Sequence, residues 1–250
     1  MTEKEYYKSE LKQTGGLLSR AENFWYHYKW HSLIALFLIF TILVCSLQMC
    51  EKEEYDINII YAGSRVIDRK SNGNDVSEYV TFLSSMKRVC ADFDGNGEIG
   101  VTLSNLFVLS KEQISEIEKE SGYEVNYTLM ENDKQVLIDR MSYSDYYVCF
   151  VSVGVYEEYC RMADGTSLFT PLSPYLPEGD HGLELYADNA VYLRSSTFHD
   201  LPAISNLPDD TLICLRMKSA VGGRFDKGST EEHFARSEQV IRNILAYKSK

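Results

Sequence analysis

Hydrophobic and polar positions divide this chain sharply. From Trp30 to Cys50 runs one stretch without a charged residue, bounded by Lys29 and Glu51. Its centre, Leu33 to Leu47, carries eleven Leu, Ile, Phe or Val residues. At ~1.5 Å per helical residue the run reaches roughly 30 Å, the thickness of a bilayer's hydrocarbon core. At roughly −0.3 to −0.6 kcal/mol each, those side chains favour insertion by about −3 to −7 kcal/mol. The run has no polar face, so the buried helix of a soluble core does not explain it. Phe24, Trp25, Tyr26, Tyr28 and Trp30 crowd its N-terminal edge, and amphipathic rings favour the headgroup layer. A cleaved signal peptide would begin its apolar stretch earlier and hold it to ~7–15 residues, and no small-x-small cleavage site follows. A lipidated Cys50 is disfavoured by the bulky Met49 before it. The expectation is an uncleaved transmembrane helix over 30–50, between a tail (1–29) and a large domain (51–250).

Beyond that run the pattern changes to short alternating stretches and helical periods. YDINIIY (55–61) predicts a strand. Val76, Tyr79, Val80, Leu83, Met86 and Cys90 recur at helical spacing, which predicts a helix over 75–91 capped by Asp75 and Glu78. After the polar ADFDGNG turn, 98–109 predicts a strand. Ser110 and Gln113 form a capping box that opens a helix closed by Gly122. YEVNYTLM (123–130) predicts a strand, 133–141 a helix, and the nearly unbroken apolar run 146–153 a strand buried on both faces. Past Asp164 the chain loosens around Pro171, Pro174 and Pro177. Strands at 183–186 and 190–193 flank a tight turn at Asp188-Asn189. A strand over 211–217 and a helix over 230–247, capped by Ser229 and Glu232, complete the chain. Alternating strands and helices predict an α/β fold.

Charge adds orientation and excludes partners. Lys4, Lys8, Lys12, Arg20 and Lys29 precede the apolar run, whereas only Lys52 follows it before Arg65. Cytoplasmic flanks are richer in Lys and Arg, so the expected topology has a cytoplasmic N-terminus and an extracytoplasmic C-terminal domain. The tail's five basic and four acidic residues make it +1, which leaves −13 of the total −12 on the rest. A domain so acidic repels nucleic acid and anionic lipid. Of six Cys, none falls in a CxxC motif, so zinc and dithiol redox chemistry are poorly supported. Cys149 and Cys214 lie within apolar strands and read as core residues, although an even count in an oxidising compartment also allows disulfides.

One local pattern carries candidate chemistry. Asp92-Phe93-Asp94-Gly95-Asn96-Gly97-Glu98-Ile99 matches the first half of a calcium loop, with oxygen ligands at alternate positions and Gly at the sharp turn. Asp92, Asp94, Asn96 and Glu98 are the candidate metal ligands, and calcium the candidate ion. The twelfth position is Leu103, so the bidentate carboxylate is missing. The same residues also suit a solvated turn, since Asp-Gly and Asn-Gly are turn pairs. Read as a DxD motif, Asp92-Phe93-Asp94 would suggest a type II membrane glycosyltransferase, supported by the sequon at Asn126, but here the motif precedes an apolar strand instead of following one. Gly223 to Thr230 is spaced like a P-loop yet lacks the Lys after its second Gly. Asp180-His181, near Glu184, is too little for a catalytic site, and neither HExxH nor GxSxG occurs. No catalytic residues are assigned.

The order of helix, YSDYYVCFVSVGVYEEY, PLSPYLPE, TLICLRM and a closing HFARSEQVIRNILAY helix resembles type 2 extracellular solute-binding proteins over residues 55–250. The resemblance implies a periplasmic-binding-protein-like domain of two lobes with a ligand cleft between them. No ligand residue of that family maps onto this chain. The resulting expectation is a non-catalytic, membrane-anchored extracytoplasmic domain that captures a small ligand or accompanies a transporter or sensor. The alternative is an envelope module that binds another protein.

Overall fold

The computed structural model describes residues 17–50, 55–70, 76–121, 126–162, 165–179, 182–218 and 227–248. Asp75, residues 122–125, Asp180-His181 and residues 223–226 of the Gly223–Thr230 segment lie outside the described residues. The chain forms two compact units, Met1–Glu54 and Tyr55–Lys250.

The first unit contains α1 (Leu17–Cys50), an unbroken helix of 34 residues. It starts well before the apolar run, so the tail expected over 1–29 is helical from Leu17 onward. Phe24–Ser46, 23 residues with a mean hydropathy of 1.8, is long and apolar enough to cross a membrane. Its large side chains stand exposed. Thr41 Oγ1 and Ser46 Oγ each donate to the carbonyl one turn back, Phe37 O and Ile42 O, at 2.8 Å. The two hydroxyls are thereby satisfied within the helix.

The second unit is an α/β/α sandwich around one mixed sheet. Its strands are β1 (Ile57–Gly63), β2 (Val101–Phe107), β3 (Val148–Ser152), β4 (Leu185–Ala187), β5 (Ala190–Tyr192) and β6 (Thr211–Leu215). They run in the order β2-β1-β3-β6-β5-β4. β1 pairs in parallel with β2 and β3, β6 runs antiparallel to β3, and β5 antiparallel to β6. The helices are α2 (Glu78–Lys87), α3 (Lys111–Ser121), α4 (Tyr127–Tyr143), α5 (Val153–Tyr159) and α6 (Lys227–Leu245).

Strand alternation builds two cores. Ile57, Ile59 and Tyr61 of β1 face one way and pack with Phe82 and Met86 of α2 and Val240, Ile241 and Ile244 of α6. Ile60 and Ala62 face the other way, against Leu137 and Met141 of α4 and Val155 and Tyr156 of α5. β1 and β3 are buried almost throughout, as parallel strands covered on both faces must be. Among the described residues one six-stranded sheet runs through Tyr55–Lys250, which forms one compact unit.

Most elements fall where the hydrophobic pattern puts them, with three corrections. Residues 127–130, expected as a strand, form the first turn of α4, and Asn126 caps it by accepting from Leu129 N at 3.1 Å. Helix α2 begins at Glu78 and is capped by Ser77, which accepts from Val80 N, while Glu78 turns to Arg65. Helix α6 begins at Lys227, so Ser229 lies inside it and Glu232 pairs with Arg236 one turn on. The capping box at α3 holds in both directions: Gln113 N donates to Ser110 Oγ at 3.2 Å and Ser110 N to Gln113 Oε1 at 3.0 Å.

Cys149 of β3 lies directly opposite Cys214 of β6. Bonds from Arg216 N to Tyr147 O and from Val153 N to Asp210 O put the odd positions of β3 in hydrogen-bonded pairs. Cβ atoms of such pairs are farther apart than a disulfide takes, and both thiols are free and buried. Just after β6, Arg216 is 2% exposed. It donates to Tyr146 O at 2.9 Å, Met141 O at 2.8 Å and Ser144 O, and stacks 4.6 Å over the Tyr147 ring. One side chain thus ties the end of α4 to the start of β3, and burial lowers its pKa from the usual arginine value.

Candidate cation-binding loop

The loop between α2 and β2 is organised by carboxylates accepting from backbone N–H groups. Asp56, one residue before β1 and 1% exposed, is the buried post. Its Oδ1 accepts from Phe93 N at 2.7 Å and Asp94 N at 3.2 Å, and its Oδ2 from Gly100 N at 2.8 Å. Asp92 Oδ1 accepts from Gly95 N at 2.7 Å and Asn96 N at 3.2 Å, and its Oδ2 from Gly97 N at 2.8 Å. These turns need left-handed backbone at Gly95 (φ 72°) and Gly97 (φ 89°), which glycine adopts without strain. The Gly97 N–H, helped by those of Gly95 and Asn96, holds the Asp92 carboxyl below its ordinary value against the opposing effect of desolvation.

The result is a convergence of charge. Asp56, Asp92 and Asp94 each offer a carboxylate oxygen within 4.8 Å of the others. Asp92 and Asp94 belong to the sequence-derived ligand set, whereas Asp56 was invisible to it. Of the other two expected ligands, Asn96 Oδ1 is engaged by Glu98 N at 2.7 Å, and the exposed Glu98 lies outside the convergent trio. Leu103, at the twelfth position, is buried in β2 and supplies no oxygen. Each carboxylate has about four lone-pair directions, so oxygens that accept N–H bonds can still face a cation. A hard ion such as calcium takes 6–8 oxygens, so these three side chains would share it with water and hold it weakly. Asp56 has one signal in the sequence: an acidic residue at the threshold of a strand buried on both faces needs partners.

Two other places suit ligands by their position. In open α/β sheets the crevice lies at the C-terminal ends of strands where the order reverses, here beside β1 and β3. That end is bridged: Arg65 donates to Asn206 O at 2.9 Å and Glu78 Oε2 at 2.9 Å, and Asn206 Nδ2 donates to Glu78 Oε1 at 2.8 Å. Burial pushes the Glu78 carboxyl up, but the bonds from Asn206, Asp68 N and Arg65 outweigh it and leave it below the usual value. Beneath, the buried Tyr61 hydroxyl has no hydrogen-bond partner among the described residues, and burial raises its pKa to about 12. The second place is a cavity of about 460 Å³ between Pro177, Leu183, Thr197 and the end of α6 at Leu245–Tyr247. Its polar rim includes Glu178, Ser195 and Lys248.

The surface also carries apolar side chains that the core does not use. Helix α4 buries only Met130, Leu137 and Met141. Leu129, Val136 and Tyr143, seven residues apart on one flank, are exposed by 44%, 37% and 66%. No family model, curated protein or solved structure matches the chain.

Proposed function

We propose that this chain is a single-pass membrane protein, N-terminus cytoplasmic, whose acidic extracytoplasmic domain works by binding another envelope protein and not by catalysis. Transporter and sensor components are the partners that fit an anchored accessory domain. The apolar flank of α4 carries this reading: Leu129, Val136 and Tyr143 face solvent along one helix of a closed, single-sheet unit. Apolar side chains aligned in this way suit a protein contact, and a binder without a second lobe presents a surface and not a clamp. The membrane part rests on Phe24–Ser46 and on the excess of Lys and Arg before it.

A second reading, capture of a small ligand, is favoured by the 460 Å³ cavity near the end of α6, which is within the usual size range of ligand pockets. One experiment separates the two. A photo-crosslinking residue is placed at Val136 of the full chain in intact membranes, and the same chain is screened for ligand-dependent thermal stabilisation. A stoichiometric protein adduct without a ligand response supports the protein partner. Stabilisation by a small molecule with no adduct overturns it in favour of the cavity.

A further inference from the structure

We propose that the outer edge of β2 is a self-association surface, along which two copies of this chain pair their β2 strands antiparallel about a two-fold axis at Leu103. β2 ends the sheet, and its ladder with β1 decides which groups are open. The two strands run in parallel over seven residues without a register shift. At the two ends of the ladder Ile57 N donates to Gly100 O and Val108 N donates to Gly63 O. The even-numbered residues of β2 therefore turn their backbone groups to β1, and the odd-numbered residues turn theirs away. Phe107 agrees with this direction: its N–H donates to Asp133 Oδ2 of α4 at 2.8 Å. The backbone N–H and C=O groups of Val101, Leu103 and Asn105 have no hydrogen-bond partner among the described residues.

Proteins guard open edges with charge, proline, a bulge or a very short strand. The opposite edge is guarded: β4 has three residues and an irregular register. β2 is not, since Ile99 to Ser110 contains neither a charged residue nor proline. A second copy fits this edge because the open groups match themselves. With the Phe107 N–H closed by Asp133, Leu103 is the centre of the three open residues. A two-fold axis there sets Leu103 against Leu103, and Val101 against Asn105 of the second copy. Each such pair exchanges two N–H···O bonds, and none of the open groups is left over. Between these pairs Thr102 meets Ser104 of the second copy, small side chains with no charge to repel. A contact of this symmetry closes at two copies. The inference goes beyond the proposed protein partner and uses none of the α4 side chains on which that reading rests.

The test uses full-length chains in intact membranes. In the proposed register Thr102 and Ser104 of the second copy form a non-hydrogen-bonded pair with Cα atoms ~4.5 Å apart, within reach of a disulfide. Two differently tagged chains, one Thr102→Cys and one Ser104→Cys, are co-expressed and oxidised. A disulfide-linked heterodimer is expected in the mixture and lost when either variant, or the wild type with its native cysteines, is expressed alone. Co-purification of two tagged chains gives a second readout. Thr102→Lys/Ser104→Lys sets like charges opposite each other and should abolish it, whereas Thr102→Lys/Ser104→Asp sets opposite charges together and should retain it. Circular dichroism checks that each variant is folded, and the cysteine variants change the side chains least. Crosslinking no stronger in the mixture than in the single variants overturns the proposal. So does capture of a different protein by the two cysteines, or co-purification that survives like charges as well as opposite ones.

Discussion

Asp56 and Arg216 are both almost fully buried, and neither appears in an ion pair among the described residues. Each is stabilised by the backbone: Asp56 by three N–H groups, Arg216 by three carbonyls. What differs is the surroundings. Arg216 is closed off by the Tyr147 ring and joins α4 to the sheet, so its charge has no outlet. Asp56 stands beside the exposed carboxylates of Asp92 and Asp94, so its charge adds to a field that opens to water. The same solution to burying a charge thus gives a structural clamp in one place and the floor of a candidate cation loop in the other.

Removing each charge tests this contrast. Arg216→Met leaves three carbonyls without donors and should cost about 3–5 kcal/mol of stability, the largest effect expected here. Denaturant unfolding of the domain measures it, and a loss under 1 kcal/mol would mean that the clamp is dispensable. Asp56→Ala orphans three N–H groups and should cost about 2–3 kcal/mol. Unlike the arginine change, it should also abolish any calcium response.

That response is itself modest. At ten times its dissociation constant, calcium should stabilise the wild-type chain by about 1.4 kcal/mol and the Asp92→Asn/Asp94→Asn variant not at all, as read by thermal unfolding. Acid distinguishes the same residues. The folded Asp92 carboxyl sits below its ordinary value of 3.8. In the interval between the two values the unfolded chain binds the extra proton. The Asp92 contribution is therefore complete above that ordinary value and fades as pH falls through the folded one. Wild type should lose stability below about pH 4 more steeply than Asp92→Asn, and parallel curves would remove Asp92 from the loop's framework. The smallest effect is expected at α4. Val136→Asp should change stability by no more than ~0.5 kcal/mol while abolishing a crosslinked partner, since that side chain is not among those the helix buries.

Legibility in the sequence follows the same division between local and distant forces. The apolar helix, the buried strand at Val148–Ser152 and the capping box at Ser110 were readable because each is specified within a few residues. Residues 127–130 were misread because the alternation of YEVNYTLM mimics a strand. The helical period of α4, Met130, Leu137 and Met141, lies mostly beyond that window. The spacing of Asp92 and Asp94 pointed to their convergence as a candidate ligand pair. Asp56 was not readable in this way, because its partners are Phe93, Asp94 and Gly100, across the whole of α2 and its flanking loops. Arg216 was hidden for the same reason: the carbonyls it serves come from residues 141 to 146.

The buried thiols give the protein a clock for its own opening. Cys149, Cys160 and Cys214 all lie in the core facing α4 and α5. Burial raises the Cys149 thiol to about 12 and pushes the other two well above their ordinary value. Only a thiolate reacts at a useful rate, so an alkylating reagent can label them only when the sheet parts from its helices. Cys90, half-buried beyond the end of α2, marks a different region. Labelling rates on the unaltered chain would therefore rank the opening free energies of the two regions, with no probe added and no residue changed.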